Sequence, residues 1–440
     1  METTSTMDCG EDIAIDIKSM AININRKLSG NLVMSSSFSI FRIPTILSRH
    51  TKNAYVPNAF AIGPFHRNSP SLQSTERIKQ KYLRDLLSNR SNNPNCPTLD
   101  TLLTAIDKIQ MEARGYYAGP IEMKTYEFVE MLVLDGCFII ELFRKNEELF
   151  RKNEDLSPRD KEDPIFTMSC LLQFLHHDLI LLENQIPWIV LNTLFDLTNP
   201  TPSNQKSLVQ LAIEFFPSLL RTKNPILDFS STELGKSKHI LDLLRNSLIT
   251  KFDERQKINH DWQHIRSATG LRDSGITFKQ NTRAESILDI RFFSKTGIME
   301  IPPLLIQETT ETVFRNLISL EQCCPNYKPI ITCYAVLLDN LIDTSADIQV
   351  LERNKVIDNW LNVDDATKFF NRLFIDTYVK ENYYFSLTSE VNKYCKQRWN
   401  IYRRVLTRDY FKHPWALVSV IAASVVLVLT FLQTFYAIKD

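Results

Sequence analysis

The segment Thr125-Tyr-Glu-Phe-Val-Glu-Met-Leu-Val-Leu-Asp-Gly-Cys-Phe-Ile-Ile-Glu-Leu-Phe143 sets the reading of the fold. Its apolar residues recur three and four positions apart, which predicts an α-helix. Between Met131 and Ile140 the apolar run is broken only by Asp135, Gly136 and Cys137. A carboxylate set in such a run needs partners, because burial makes its ionised form unfavourable.

The same rhythm predicts helices over 74–87, 98–113, 166–182, 186–197, 237–249, 309–323, 330–342, 346–352 and 366–376. Ile13, Ile17, Met20 and Ile24 mark another near the N-terminus. One stretch differs. Residues 286–302 alternate and turn at Lys295-Thr-Gly297, as a β-hairpin does. The composition agrees with a mainly α body, for there are 10 glycines in 440 residues, where average usage of about 7% would give about 31. Phosphate-cradling α/β folds need glycine at their loops, so the scarcity argues against a nucleotide-binding enzyme.

Immediately after the opening segment the chain repeats itself: ELFRKNE at 141–147 recurs unchanged at 148–154. A tandem heptad lengthens a helix by about two turns with a small rotation of its face. It is expected to form a solvent-exposed extension away from any site.

Lys+Arg and Asp+Glu both total 51, so the net charge is zero and gives no global reason to bind nucleic acid. The zero is a sum of unlike parts. Residues 415–438 carry no charge and are dominated by Val, Ile, Leu, Ala and Phe. As a helix they reach about 36 Å, enough to cross a hydrocarbon core of about 30 Å with modest tilt. Trp415 and Tyr436 suit the two membrane interfaces. Seven basic residues precede the span between 393 and 413 (Lys393, Lys396, Arg398, Arg403, Arg404, Arg408 and Lys412), against the single acid Asp409. By the positive-inside rule the N-terminal bulk is cytosolic. Two residues follow the span, the arrangement of a tail-anchored protein. The neck, interleaved with Trp399, Tyr402 and Tyr410, could lie on anionic lipid headgroups.

The eight cysteines contain no CxxC and fit a reducing compartment. No GxGxxG, HExxH, Ca-loop or GxSxG pattern occurs, and Gly270 to Gly275 lacks the lysine of a phosphate loop. His176-His177-Asp178 with Glu183 is the densest set of ligand-type residues, but adjacent histidines on a helix point about 100° apart. No metal, cofactor or catalytic residue is expected. Glu183, Asn184 and Gln185 lie between apolar flanks, with Pro187 opening the next helix, and Glu321-Gln322 ends another apolar helix. With Asp135 and Gly136 they read either as a shared polar pocket or as a satisfied network that pins helix ends. The network is the favoured reading.

Ordered blocks through the chain resemble the plant-specific domain of unknown function 247 family, also called UPF0481 proteins. They are Phe41-Arg-Ile-Pro44, Ala54-Tyr-Val-Pro57, Ile62-Gly-Pro-Phe-His66, Leu134-Asp-Gly-Cys-Phe138 and Leu181-Leu-Glu-Asn-Gln-Ile-Pro-Trp188. Ser274-Gly-Ile-Thr-Phe278, Glu300-Ile-Pro-Pro303, Arg315-Asn316, Glu321-Gln-Cys323 and the Phe431–Tyr436 end of the span follow. The resemblance implies a membrane-attached plant protein without established enzymatic activity, in a family whose grass members are implicated in pollen self-incompatibility. It implies no catalytic residues.

The expected layout is a partly helical segment over 1–36, a helical domain over 37–385, a basic juxtamembrane helix over 386–413, a transmembrane helix over 414–438 and a tail at 439–440. Loops are expected near 88–97, 198–206 and 251–260. The expected function is a noncatalytic recognition, signalling or protein-interaction module, in contact with the bilayer and with an unidentified protein. The alternative is an enzyme with a pocket lined by Asp135, Glu183 and Glu321.

Overall fold

The computed structural model describes residues 9–28, 38–89, 97–151, 163–199, 206–216, 234–250, 252, 261–397 and 414–439. The chain divides into two units, residues 1–38 and 39–440. In the first, α1 (Cys9–Leu28) carries Ile17, Met20, Ile24 and Leu28 exposed on its surface.

The second unit is mainly helical, as expected. Its first half comprises α2 (Thr45–Ser48), α3 (Gln73–Asn89), α4 (Leu99–Arg114), α5 (Thr125–Arg151), α6 (Pro164–Thr167), α7 (Ser169–Asp178), α8 (Trp188–Thr198) and α9 (Leu208–Phe215). The opening segment becomes α5, which packs on α3, α4, α8 and α9. Phe128, Met131, Leu132, Cys137, Phe138, Ile139, Ile140, Leu142 and Phe143 are fully buried along it. Each buried residue of that size contributes roughly 1.5–3 kcal/mol. Gly136 lets α8 come close, since a Cβ there would collide with Leu194 Cδ1.

The repeated heptad has two environments. In the first copy Leu142 and Phe143 are buried, Arg144 reaches Thr198 and Lys145 reaches Asp163. In the second, Glu148 and Arg151 are exposed and Leu149 is half-buried. Exposure is therefore confined to the second copy, and residues 152–154 lie outside the described residues.

The helix expected over 166–182 stops at Asp178. The reason is local: Asn184 Nδ2 donates to Asp178 O (2.9 Å), and Gln185 Nε2 donates to Leu179 O (2.7 Å) and Leu181 O (2.8 Å). These side chains take carbonyls that a further turn would have used.

The second half adds α10 (Ile240–Ile249), α11 (Ala268–Asp273), β1 (Thr277–Gln280), β2 (Arg291–Phe293), β3 (Ile298–Ile301), β4 (Leu304–Ile306), α12 (Glu308–Cys323), α13 (Ile330–Leu341), α14 (Ser345–Arg353), β5 (Ile357–Asn359), α15 (Val363–Phe370) and α16 (Phe385–Cys395). The hairpin is present as β2 antiparallel to β3, but 286–290 is not strand. Two pairings are additions to the expectation: β1 lies parallel to β3, and β4 lies parallel to β5. The Gly270–Gly275 stretch is a helix C-cap. Gly275 (φ 93°) donates to Arg272 O and Ile276 to Leu271 O, the paired bonds of a Schellman motif.

Last comes α17 (Pro414–Lys439), long and apolar enough to span a membrane. Its window Val418–Phe435 is wholly exposed. The Ser419, Ser424, Thr430 and Thr434 hydroxyls each donate to the carbonyl four residues earlier, so they need no water. Trp415 is 80% exposed, while the Tyr436 side chain lies outside the described residues. Of the basic neck, Lys393 and Lys396 are described and exposed; Arg398, Arg403, Arg404, Arg408 and Lys412 fall outside the described residues.

Candidate functional site

Of the polar residues singled out in the sequence, Asp135 and Asn184 meet on a ribbon, residues 58–63, that is neither helix nor strand and is buried from Ala59 onward. Buried backbone amides and carbonyls must be paired, and here side chains from distant elements pair them. Asp178, at the end of α7, accepts from the amides of Asn58 (2.7 Å), Ala59 (2.8 Å) and Phe60 (2.8 Å). Asn184 accepts from Ile62 N (2.7 Å) and donates to Phe60 O (2.9 Å). Asp135 accepts from Gly63 N (2.8 Å) through one oxygen and takes Lys79 Nζ (2.7 Å) on the other. Lys79 and Asp135 are both fully buried, and Lys79 also holds Ala61 O and Glu76 (2.6 Å). Thr75 Oγ1 donates to Ala59 O (2.6 Å).

Gly63 is required where the ribbon ends. Its φ is +73°, and a Cβ would strike the carbonyl oxygen of Gln185. That same oxygen accepts the Tyr117 hydroxyl (3.0 Å), while the Gln185 side-chain oxygen accepts from Leu241 N (3.3 Å). Pro187 stands at the N-cap of α8 in extended geometry.

Glu183 differs from its neighbours by lying at the edge. It accepts from Ile43 N and stands 3.2 Å from His66 Nε2, with 15% of its side chain exposed. Glu321 belongs to another cluster. It accepts from Thr332 N (2.8 Å), Thr332 Oγ1 (2.8 Å) and Ile331 N (3.2 Å) at the start of α13, and from Arg245 Nε (3.1 Å). Burial raises its pKa, opposed by Arg245 and those hydrogen bonds. Gln322 lies on the surface side of that helix end and accepts from Tyr378 N (2.9 Å). Asp135 and Glu183 thus serve segments that adjoin, and Glu321 shares no partner with them.

The dense ligand-type group also separates. His176 turns into Phe215 (ring centroids 4.6 Å) and burial lowers its pKa to about 4. His177 sits between Asn58 and Asp178. Among the described residues no three His, Cys, Asp or Glu side chains are gathered as for a metal ion.

A family model for plant proteins of unknown function, DUF247, matches residues 40–429. The chain belongs to this family. This DUF247 protein is 29% identical to the UPF0481 protein At3g47200 of Arabidopsis thaliana over 433 residues, covering 91% of this chain and 86% of that one. It is 21% identical to the putative UPF0481 protein At3g02645 of the same plant, covering 94% and 93%. No solved structure matches it significantly.

The sequence alone does not mark three residues that clamp the ribbon, Thr75, Lys79 and Asp178, nor the role of Asn316 beside it in this DUF247 chain. Asn316 accepts from Leu182 N (2.9 Å) and donates to Ala54 O (2.8 Å), joining α12 to the other half. Lys79 and Asn316 each interrupt an apolar helix face, which was the available signal. In the sequence Asp178 reads only as a metal-ligand type beside His176 and His177.

Proposed function

We propose that this DUF247 protein is a membrane-anchored, noncatalytic recognition or signalling module whose helical body faces the cytosol and engages a protein partner. The observation that carries the reading is α17, an exposed helix with no charge over residues 415–438 and with its serine and threonine hydroxyls bonded within it, preceded by a basic segment that favours the cytosolic side. Anionic headgroups would meet that segment at about 1 kcal/mol per base. The clamp supports a noncatalytic body. Asn184 and Gln185 spend their hydrogen bonds on backbone, Asp135 spends its own on Gly63 N and Lys79, and Glu321 on a helix start and Arg245. An enzyme with these carboxylates in one open pocket would need them free and convergent.

Sealed microsomes test the topology. The protein should resist alkaline carbonate extraction, and added protease should remove the body. Release by carbonate, full protection of the body, or a glycan on Asn89 would sink the reading.

A further inference from the structure

Beside the clamp lies an open cleft of about 530 Å³, lined among others by Arg42, Phe65, Asn68, Gly119, Ile121 and Met123. That size falls within the range of small-molecule sites, about 300–1,000 Å³. Arg42 stacks its guanidinium on the Phe65 ring, 4.4 Å from the centroid, and has no ion-pair or hydrogen-bond partner among the described residues. Gly119 (φ +108°) has open space where a Cβ would stand, so a ligand can approach its backbone closely.

Each wall is fixed from behind. Glu183 holds Ile43 N and stands against His66, the residues directly following Arg42 and Phe65. The third wall is tied by Ala118 N donating to Ile40 O (2.9 Å) and by Tyr117, whose hydroxyl donates to Gln185 O and whose ring meets Phe65 edge-on at 5.7 Å. Arg114 donates to Met123 O (2.9 Å). The Leu181–Trp188 block therefore has a product beyond the ribbon: it braces the backbone next to Phe65 and next to Arg42, whose exposed, unpaired guanidinium stands on that ring, a preorganisation that favours binding.

We propose that this cleft binds a small organic carboxylate that also carries hydrogen-bonding groups, anchored by Arg42 and flanked by Phe65 and Asn68. A guanidinium matches a carboxylate in planar, two-point fashion. Glu122, exposed on the rim, disfavours ligands with a second negative charge. The inference does not depend on membrane attachment.

The test uses the full chain in lipid nanodiscs with 4-hydroxybenzoate as probe, followed by ligand-observed NMR and calorimetry. A ligand of that size should bind with a dissociation constant on the order of 1 mM. 4-Hydroxybenzamide should bind at least about tenfold more weakly, as should 4-hydroxybenzoate to Arg42→Gln, because a charged hydrogen bond is lost. Asn68→Trp, which fills the mouth, should weaken binding with thermal unfolding unchanged. No saturation by 4-hydroxybenzoate, equal binding of the amide, or unaltered binding to both variants would overturn the proposal.

Discussion

The carbonyl oxygen of Gln185 occupies the space that a side chain on Gly63 would need, and Gly63 is held there at φ +73° by the Asp135 carboxylate. Three family blocks thereby meet at one point. Gly63→Ala should cost about 3 kcal/mol or more, from left-handed backbone strain plus the collision. Gly119→Ala, also at positive φ but facing open space, should cost only about 1–2 kcal/mol. Urea unfolding of the two variants checks the difference.

The buried Lys79–Asp135 pair should show strong coupling. Removing either partner leaves a charge or a ribbon amide buried without its mate. Asp135→Ala and Lys79→Met should each cost about 3–5 kcal/mol. The double variant should cost clearly less than their sum, because the charge imbalance disappears. A double-mutant cycle of unfolding free energies measures this, and strict additivity would contradict the clamp.

Acid should loosen the body before its carboxylates titrate in bulk. His239 is fully buried, its Nδ1 accepts from Asp242 N (3.3 Å) and its Nε2 faces Ser39 O (3.1 Å). Burial lowers its pKa to about 4. The folded state thus prefers neutral imidazole. The associated stability is present above the unfolded value near 6.5 and is lost as pH falls toward 4, amounting to roughly 3 kcal/mol. Burial acts on His176 in the same direction. Melting temperature should fall between pH 6.5 and 4, and His239→Gln should flatten that slope.

Identical letters in the repeated heptad should behave differently. Leu142→Ala removes a fully buried side chain and should cost about 2–5 kcal/mol. Leu149→Ala, half-buried at the matching place in the second copy, should cost about 1 kcal/mol or less. Chemical denaturation of the two separates them.

Paired Val425→Arg and Val428→Arg substitutions in α17 should move the protein to the soluble fraction, since each charge at a helix centre costs about 2.5–3.5 kcal/mol on insertion. Fractionation after carbonate extraction provides the readout.

Helices with long apolar rhythm, α5 and α12 above all, were legible because burial imposes a period. Short elements were less so: β1 has four residues and α11 six, too few to carry a period. The site was legible in part for a related reason. Asp135, Asn184 and Gln185 stood out as polar breaks in apolar runs. Asp178 did not, because its meaning comes from amides about 120 positions away, and the ribbon has no periodicity to announce that it is buried. The cleft is not legible in the sequence, because Arg42 and Phe65 lie 23 positions apart until the fold stacks them.

The buried ribbon also bears on how the chain is made. Its amides at Asn58, Ala59, Phe60 and Ile62 are satisfied by Asp178 and Asn184, 118 to 122 residues later. At about 5–20 residues per second, the ribbon leaves the ribosome roughly 6–24 s before those partners exist. Ala54 waits longer still, for Asn316 lies 262 residues downstream. During that interval water or a chaperone must occupy the ribbon's hydrogen-bonding groups. The first half can close only after the Leu181–Trp188 block has been synthesised, which makes that block the timing element of the molecule's assembly.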